Sequence, residues 1–283
     1  MSLIEWPKPF VEYAGFVAAY TTIGAVAFRY GVLDVAARNA TVHAMRDEAA
    51  SRAAIVGAAG SVFGVMYLWL AALNGKKSHD LAIVPLVTML IAGVAFVLAA
   101  RRVRFAWPVA ALATVVFAVR SIHLLKWTSA VNPLHVVGGA LWIGTLFVLV
   151  AAALPAALHA QVPAEQRGPA VAWLVRAFSP LALVGASLLA LTGVITAVRH
   201  VKYLSAMWTT AYGYALDVKL AAVAAVVGFG YWNWQRVKPR LGDEGAAHEM
   251  HSSARYELVM AAVVLVITGV LVSLPSPKLP HLP

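Results

Sequence analysis

Residues 178–198 read FSPLALVGASLLALTGVITAV, a stretch without a single charge. A hydrocarbon core about 30 Å thick needs roughly 20 apolar residues in one helix, and this stretch supplies them. Seven more stretches qualify, at about 11–31, 53–73, 81–100, 106–125, 133–154, 213–234 and 256–274. Strand-like alternation is sustained nowhere, which excludes a β-barrel. The pattern predicts an all-α, polytopic membrane helix bundle of about eight spans.

Composition agrees. Of 283 residues, 61% are hydrophobic and 12% charged, against 45–50% apolar and about 25% charged in soluble domains, and mean hydropathy is +0.79. One soluble core of this size cannot hide that much apolar surface. The net charge of +10 comes from short basic clusters between apolar runs. These read as topology determinants that also meet lipid headgroups. No basic stretch is interleaved with aromatics, so no nucleic-acid partner is expected. The absence of cysteine excludes disulfides, thiolate metal sites, iron–sulfur clusters and covalent c-type haem. The N-terminus lacks a basic region followed by a cleavage site, so the first apolar run is expected to be kept as a span.

The connections divide into two classes. Residues 34–52 are polar and Ala-rich and predict a surface helix; 74–80 predict a turn; 101–104 (RRVR) form a basic anchor; 235–255 predict a long loop; the tail is Pro-rich. On alternate sides of eight spans, seven Lys/Arg fall on one side and thirteen on the other, with Arg120 and Lys219 inside spans. The richer side is expected to be cytoplasmic, which places both termini in the periplasm or outside. The chain divides at 131/132 into an N-terminal four-span half, 1–131, and a second half, 132–283.

With that topology His123 ends the fourth span, His135 begins the fifth and His200 follows the sixth. Three helices thus deliver a histidine to one shallow layer near the outer face. Imidazole binds copper, zinc or haem iron, and the thioether of Met207, seven residues after His200, adds softness suited to Cu(I). The alternative is a set of interfacial histidines wetting their nitrogens at the headgroups. Arg120 lies one turn below His123, and Asp217 and Lys219 sit at similar depth in the seventh span. An Asp217–Arg120 ion pair would fix the bundle around the layer, unless Arg120 and Lys219 only snorkel outward. His135, Gly139 and Trp142 share a helical face, with Gly139 permitting close helix packing. At the other end, His248, Met250 and His251 form a compact HEMH group of soft ligands in the predicted loop. There is no phosphate-binding loop, GxGxxG, HExxH or GxSxG, so no enzymatic activity is expected.

Four segments of the second half, LHVVGGALWIG (134–144), RAFSPLALVGASLLALTGVITA (176–197), TAYGYALDVKL (210–220) and SARYELVMAAVVLVITGVLVSLPSP (253–277), occur in an order and spacing that resembles the CopD family of bacterial copper-resistance membrane proteins. The resemblance covers roughly half the chain. It implies an eight-span protein of the bacterial inner membrane that moves or handles copper, with His135 and, by its place, His123 as ligands. It also implies a periplasmic CopC-type carrier, which here would be a separate protein, since no such domain lies in this sequence. Methionine is sparse in the outer loops, a departure from efficient copper capture.

Three readings stay open. Copper would be collected by His123, His135, His200 and Met207 and passed between the spans. Two histidines at similar depth would instead hold a b-type haem, with basic residues on its propionates. Or the chain would be a non-catalytic accessory subunit, using small-residue faces against partner subunits of a larger membrane complex.

Overall fold

The computed structural model describes residues 8–73, 79–120, 122, 127–159, 161–201, 204–232, 235 and 244–275. No strand occurs among them. The chain is a bundle of long helices: α1 (Lys8–Ala36), α2 (Ala40–Ala44), α3 (Arg46–Leu73), α4 (His79–Ala100), α5 (Ala106–Val119), α6 (Thr128–Ala157), α7 (Ala164–His200), α8 (Ala206–Thr209), α9 (Ala211–Trp232) and α10 (Glu244–Ser273). Seven are long and apolar enough to cross a membrane. The fourth predicted span is the exception: α5 has 14 residues, about 21 Å of rise.

The membrane helices run alternately between two ends. One end, rich in arginine, gathers the turns around residues 37–45, 101–105 and 158–163. There Ser51 Oγ donates to the Ala100 carbonyl at 2.7 Å and Thr41 meets Gln166 at 3.3 Å. The other, histidine-bearing end is tied where Arg199 donates to the Thr128 carbonyl at 3.3 Å. The start of α1 and the last turns of α10 meet at this second end, since a Cβ on Gly269 would lie 2.9 Å from the Pro9 carbonyl oxygen.

Three expectations need correction. The polar segment 34–52 is not one surface helix: 34–36 finish α1, 40–44 form α2 capped by Asn39, whose side chain accepts from Thr41 and Val42, and 46–52 open α3. The predicted loop 235–255 and the connection after the apolar stretch 133–154 are largely helix, because α10 begins at Glu244 and α7 at Ala164. Residues 233–234 and 236–243 lie outside the described set. Hydropathy marks only the part of a helix that lipid surrounds. The polar overhangs are helical because their apolar positions are buried: Val42, Met45, Ala49, Leu154, Val171, Leu174, Ala247 and Met250 join one core at the arginine-rich end.

Close backbone approach builds the centre. Gly138 faces α7, where a Cβ would lie 2.8 Å from Leu189 N and 2.9 Å from the Gly185 carbonyl oxygen, while Gly139 and Gly144 face Tyr20 of α1. Small residues thus seat α6 between α1 and α7. The helix accommodates this with π-helical turns at Ala140–Gly144 and Leu149–Ala153. Much of α7 and α9 exposes apolar side chains, including Leu183, Val184, Leu191, Val194, Val218 and Leu220, as lipid-facing helices do.

Candidate functional site

His135 lies two turns into α6 and points at α7. Its Nδ1 is 3.0 Å from Thr192 Oγ1. That hydroxyl also lies 2.6 Å from the Leu188 carbonyl and 3.3 Å from the Leu189 carbonyl. A hydroxyl has one proton, which goes to the short Leu188 bond, so Thr192 accepts from His135 Nδ1–H. The tautomer assigned this way leaves the lone pair on Nε2. Gly193 makes room for the ring: a Cβ there would lie 3.3 Å from His135 Cε1.

His200 ends α7 in a similar way. Its Nδ1 is 2.9 Å from the Thr196 carbonyl, which can only accept, so this ring too presents Nε2. It stacks on Tyr212 of α9 at 6.1 Å and 13°. Thr196 donates to the Thr192 carbonyl at 2.8 Å. The anchors of the two histidines therefore lie one turn apart on α7, about 6 Å along its axis. Thr192, Thr196 and His200 form a polar stripe on an otherwise apolar helix, bordered by His135 from α6 and Tyr212 from α9. Lys219, two turns beyond Tyr212 on α9, is within electrostatic reach of His135.

The other predicted residues are placed differently. His123 lies outside the described residues. Met207 is half-buried on α8, a single turn held tightly against the start of α9 at Gly213. Among the described residues no group of three or more His, Cys, Asp or Glu is arranged to hold a metal. The Asp217–Arg120 pair is not formed. Arg120 follows α5, which packs on α4 and α1, whereas α9 packs on α10. The guanidinium folds back on its own helix, donating to the Phe117 carbonyl with its carbon 3.6 Å from the Phe117 ring centroid. On α9, Asp217 is about 200° around the helix from Lys219 and turns away from the polar stripe.

The shared face of His135, Gly139 and Trp142 also divides. His135 faces α7 and Gly139 faces α1, while Trp142, set within the π-helical turn, packs against the cluster of Ala19, Tyr20, Ala140, Ile143, Ala261 and Leu265. The HEMH group is not a soft-ligand loop. It is helical, Met250 is buried in the core, and the His251 ring reaches the Val150 carbonyl.

Sequence reasoning missed Thr192, Gly193, Thr196 and Tyr212. The spacing of Thr192, Thr196 and His200 at i, i+4 and i+8 was the available signal, a polar line along one face of an apolar helix.

A family model described as "Copper resistance protein D" (CopD) matches residues 172–271. The match runs from α7 through α10 and includes the Thr192–His200 stripe, Tyr212 and Lys219, but not His135. No curated protein and no solved structure matched the chain.

Proposed function

We propose, from the match of residues 172–271 to the CopD family model, that this membrane protein handles or transports copper, taking the ion at the end of the bundle that carries His135 and His200. The observation that carries the proposal is the His135–Thr192 hydrogen bond. Metal-ligating histidines characteristically donate their second ring nitrogen to a fixed acceptor, which sets the tautomer and orients the ring. His135 has that arrangement, and His200 repeats it on a backbone carbonyl. Copper is the cargo. His135 and His200 would each offer Nε2, and His123 and Met207 are the residues proposed to complete a set of three or four ligands.

An ammonium at Lys219 would repel any copper cation approaching His135. Arginines concentrated at the opposite end support an orientation with that end cytoplasmic, as the positive-inside rule requires. The site would then face the periplasm of a bacterial inner membrane, where a separate CopC-type carrier could deliver the ion. The chain performs no bond chemistry in this reading and is not an enzyme.

A test is copper content and affinity of the purified protein with His123→Ala, His135→Ala and His200→Ala, set against His43→Ala, an exposed histidine of the arginine-rich end. Loss in the first three and retention in the fourth is the expected result. Lys219 beside His135 also favours the second reading, a b-type haem with cations for its propionates. A Soret band in the purified protein decides for haem, and its absence decides against it.

A further inference from the structure

A separate charged cluster lies at the arginine-rich end. The turn Phe28–Leu33 of α1 is π-helical and brings Arg29 into the bundle with its side chain 14% exposed. Arg29 Nη1 donates to Asp34 Oδ1. Arg46, at the start of α3, donates to the same oxygen through Nη2 at 2.7 Å and Nε at 3.1 Å. Two guanidiniums share one carboxylate oxygen, leaving one positive charge uncompensated, and the Nε of Arg29 is buried without an acceptor.

Aromatic rings border this pair. The Arg29 guanidinium carbon is 5.5 Å from the Tyr30 ring centroid and 5.9 Å from that of Trp107, and the two rings meet edge-on at 6.5 Å. Trp107 stands in the first turn of α5, directly after the exposed Arg101, Arg102 and Arg104. Arg102 and Arg52 both reach Glu48, at 3.7 Å and 2.8 Å.

We propose that the Arg29–Arg46 cluster of α1 and α3 binds the phosphodiester of an anionic phospholipid, with the phosphate on the two guanidiniums and the headgroup bordered by Tyr30 and Trp107. Phosphate oxygens supply the acceptors that one carboxylate cannot, in the planar, forked geometry guanidinium groups match. Tyr and Trp stand at the headgroup level of a bilayer, with basic residues between helices as the usual headgroup contact. Beyond Trp107, Val109, Leu112 and Val116 are exposed on one face of α5 at i, i+3 and i+7, a ridge for the acyl chains. Free inorganic phosphate shares the headgroup chemistry and has no use for that ridge.

Native mass spectrometry of the full chain with phosphatidylglycerol, with phosphatidylcholine, and with inorganic phosphate as competitor tests the site. Phosphatidylglycerol is expected to be retained in preference to phosphatidylcholine, and millimolar phosphate to displace little of it. Arg46→Gln is expected to cut the preference about fivefold, the effect of one basic residue at a headgroup. Arg29→Met leaves Asp34 paired with Arg46 and the cluster without its surplus positive charge, and is expected to lose the preference as well. Replacing Arg101, Arg102 and Arg104 together by Gln is expected to keep most of it. Equal retention of the two lipids by the wild type, a preference that survives both Arg29 and Arg46 changes, or full displacement by inorganic phosphate would overturn the proposal.

Discussion

The two nitrogens of His135 have separate tasks. Nδ1 is spent on Thr192, and Nε2 is what remains for a ligand. Thr192→Val keeps the side-chain shape and removes the acceptor, so the ring loses its tautomer and its aim. Copper affinity, measured by competition with a chromogenic chelator, is expected to fall about 10–100-fold, the usual cost of losing such a partner. Thr192→Ser is expected to keep affinity near wild type. The candidate ligands were legible in the sequence because histidine at a span terminus is unusual in itself. Their supports were not, since a threonine in an apolar helix commonly bonds its own i−4 carbonyl, and only the packing of α6 on α7 reveals its second role. Arg120 and Asp217 failed for the opposite reason. Equal depth in the membrane was visible, but which helices are neighbours was not. In a double-mutant cycle of Arg120→Ala and Asp217→Ala, the coupling energy in thermal unfolding is expected to stay below about 0.5 kcal/mol, the value for independent sites.

At the level of elements, glycine contacts decide how the spans are seated. Gly185 of α7 meets the Gly138 carbonyl oxygen and the Trp142 amide so closely that a Cβ would lie 2.7 and 2.8 Å from them. These neighbours are backbone and yield only if the helices part. Gly185→Ala is therefore expected to destabilise the protein in detergent by about 1–3 kcal/mol, the cost of overpacking. Gly228→Ala on α9, where a Cβ meets nothing within 4 Å, is expected to be neutral or to gain up to about 1 kcal/mol from helix propensity. Gly139 announced close packing in the sequence, and its neighbour Gly138 proves to share it. That the two serve different helices, Gly138 for α7 and Gly139 for α1, depends on the rotation of α6, which the π-helical turns alter. The span centres were likewise legible from hydropathy. Their ends were not: α7 runs 37 residues, about 55 Å, and its first turns are held by protein rather than lipid.

For the whole molecule, the two ends differ: His135, His200, Tyr212 and Lys219 gather at one, and arginines concentrate around a tight core at the other. The proposed orientation makes this asymmetry vectorial, with the copper-taking end outward. The chain has no cysteine, so single-cysteine labelling reports each end without background. A thiol at Ser205 is expected to react in intact cells, and one at Asn39 only after the inner face is opened. The inverse pattern would reverse the orientation and the direction from which copper arrives. The CopD match and the histidine geometry meet in a single quantity, copper bound per chain. Elemental analysis of the purified protein should find copper in the wild type and in His43→Ala, and most of it lost in His135→Ala; the same copper content in all three would contradict the assignment of this end of the bundle to copper.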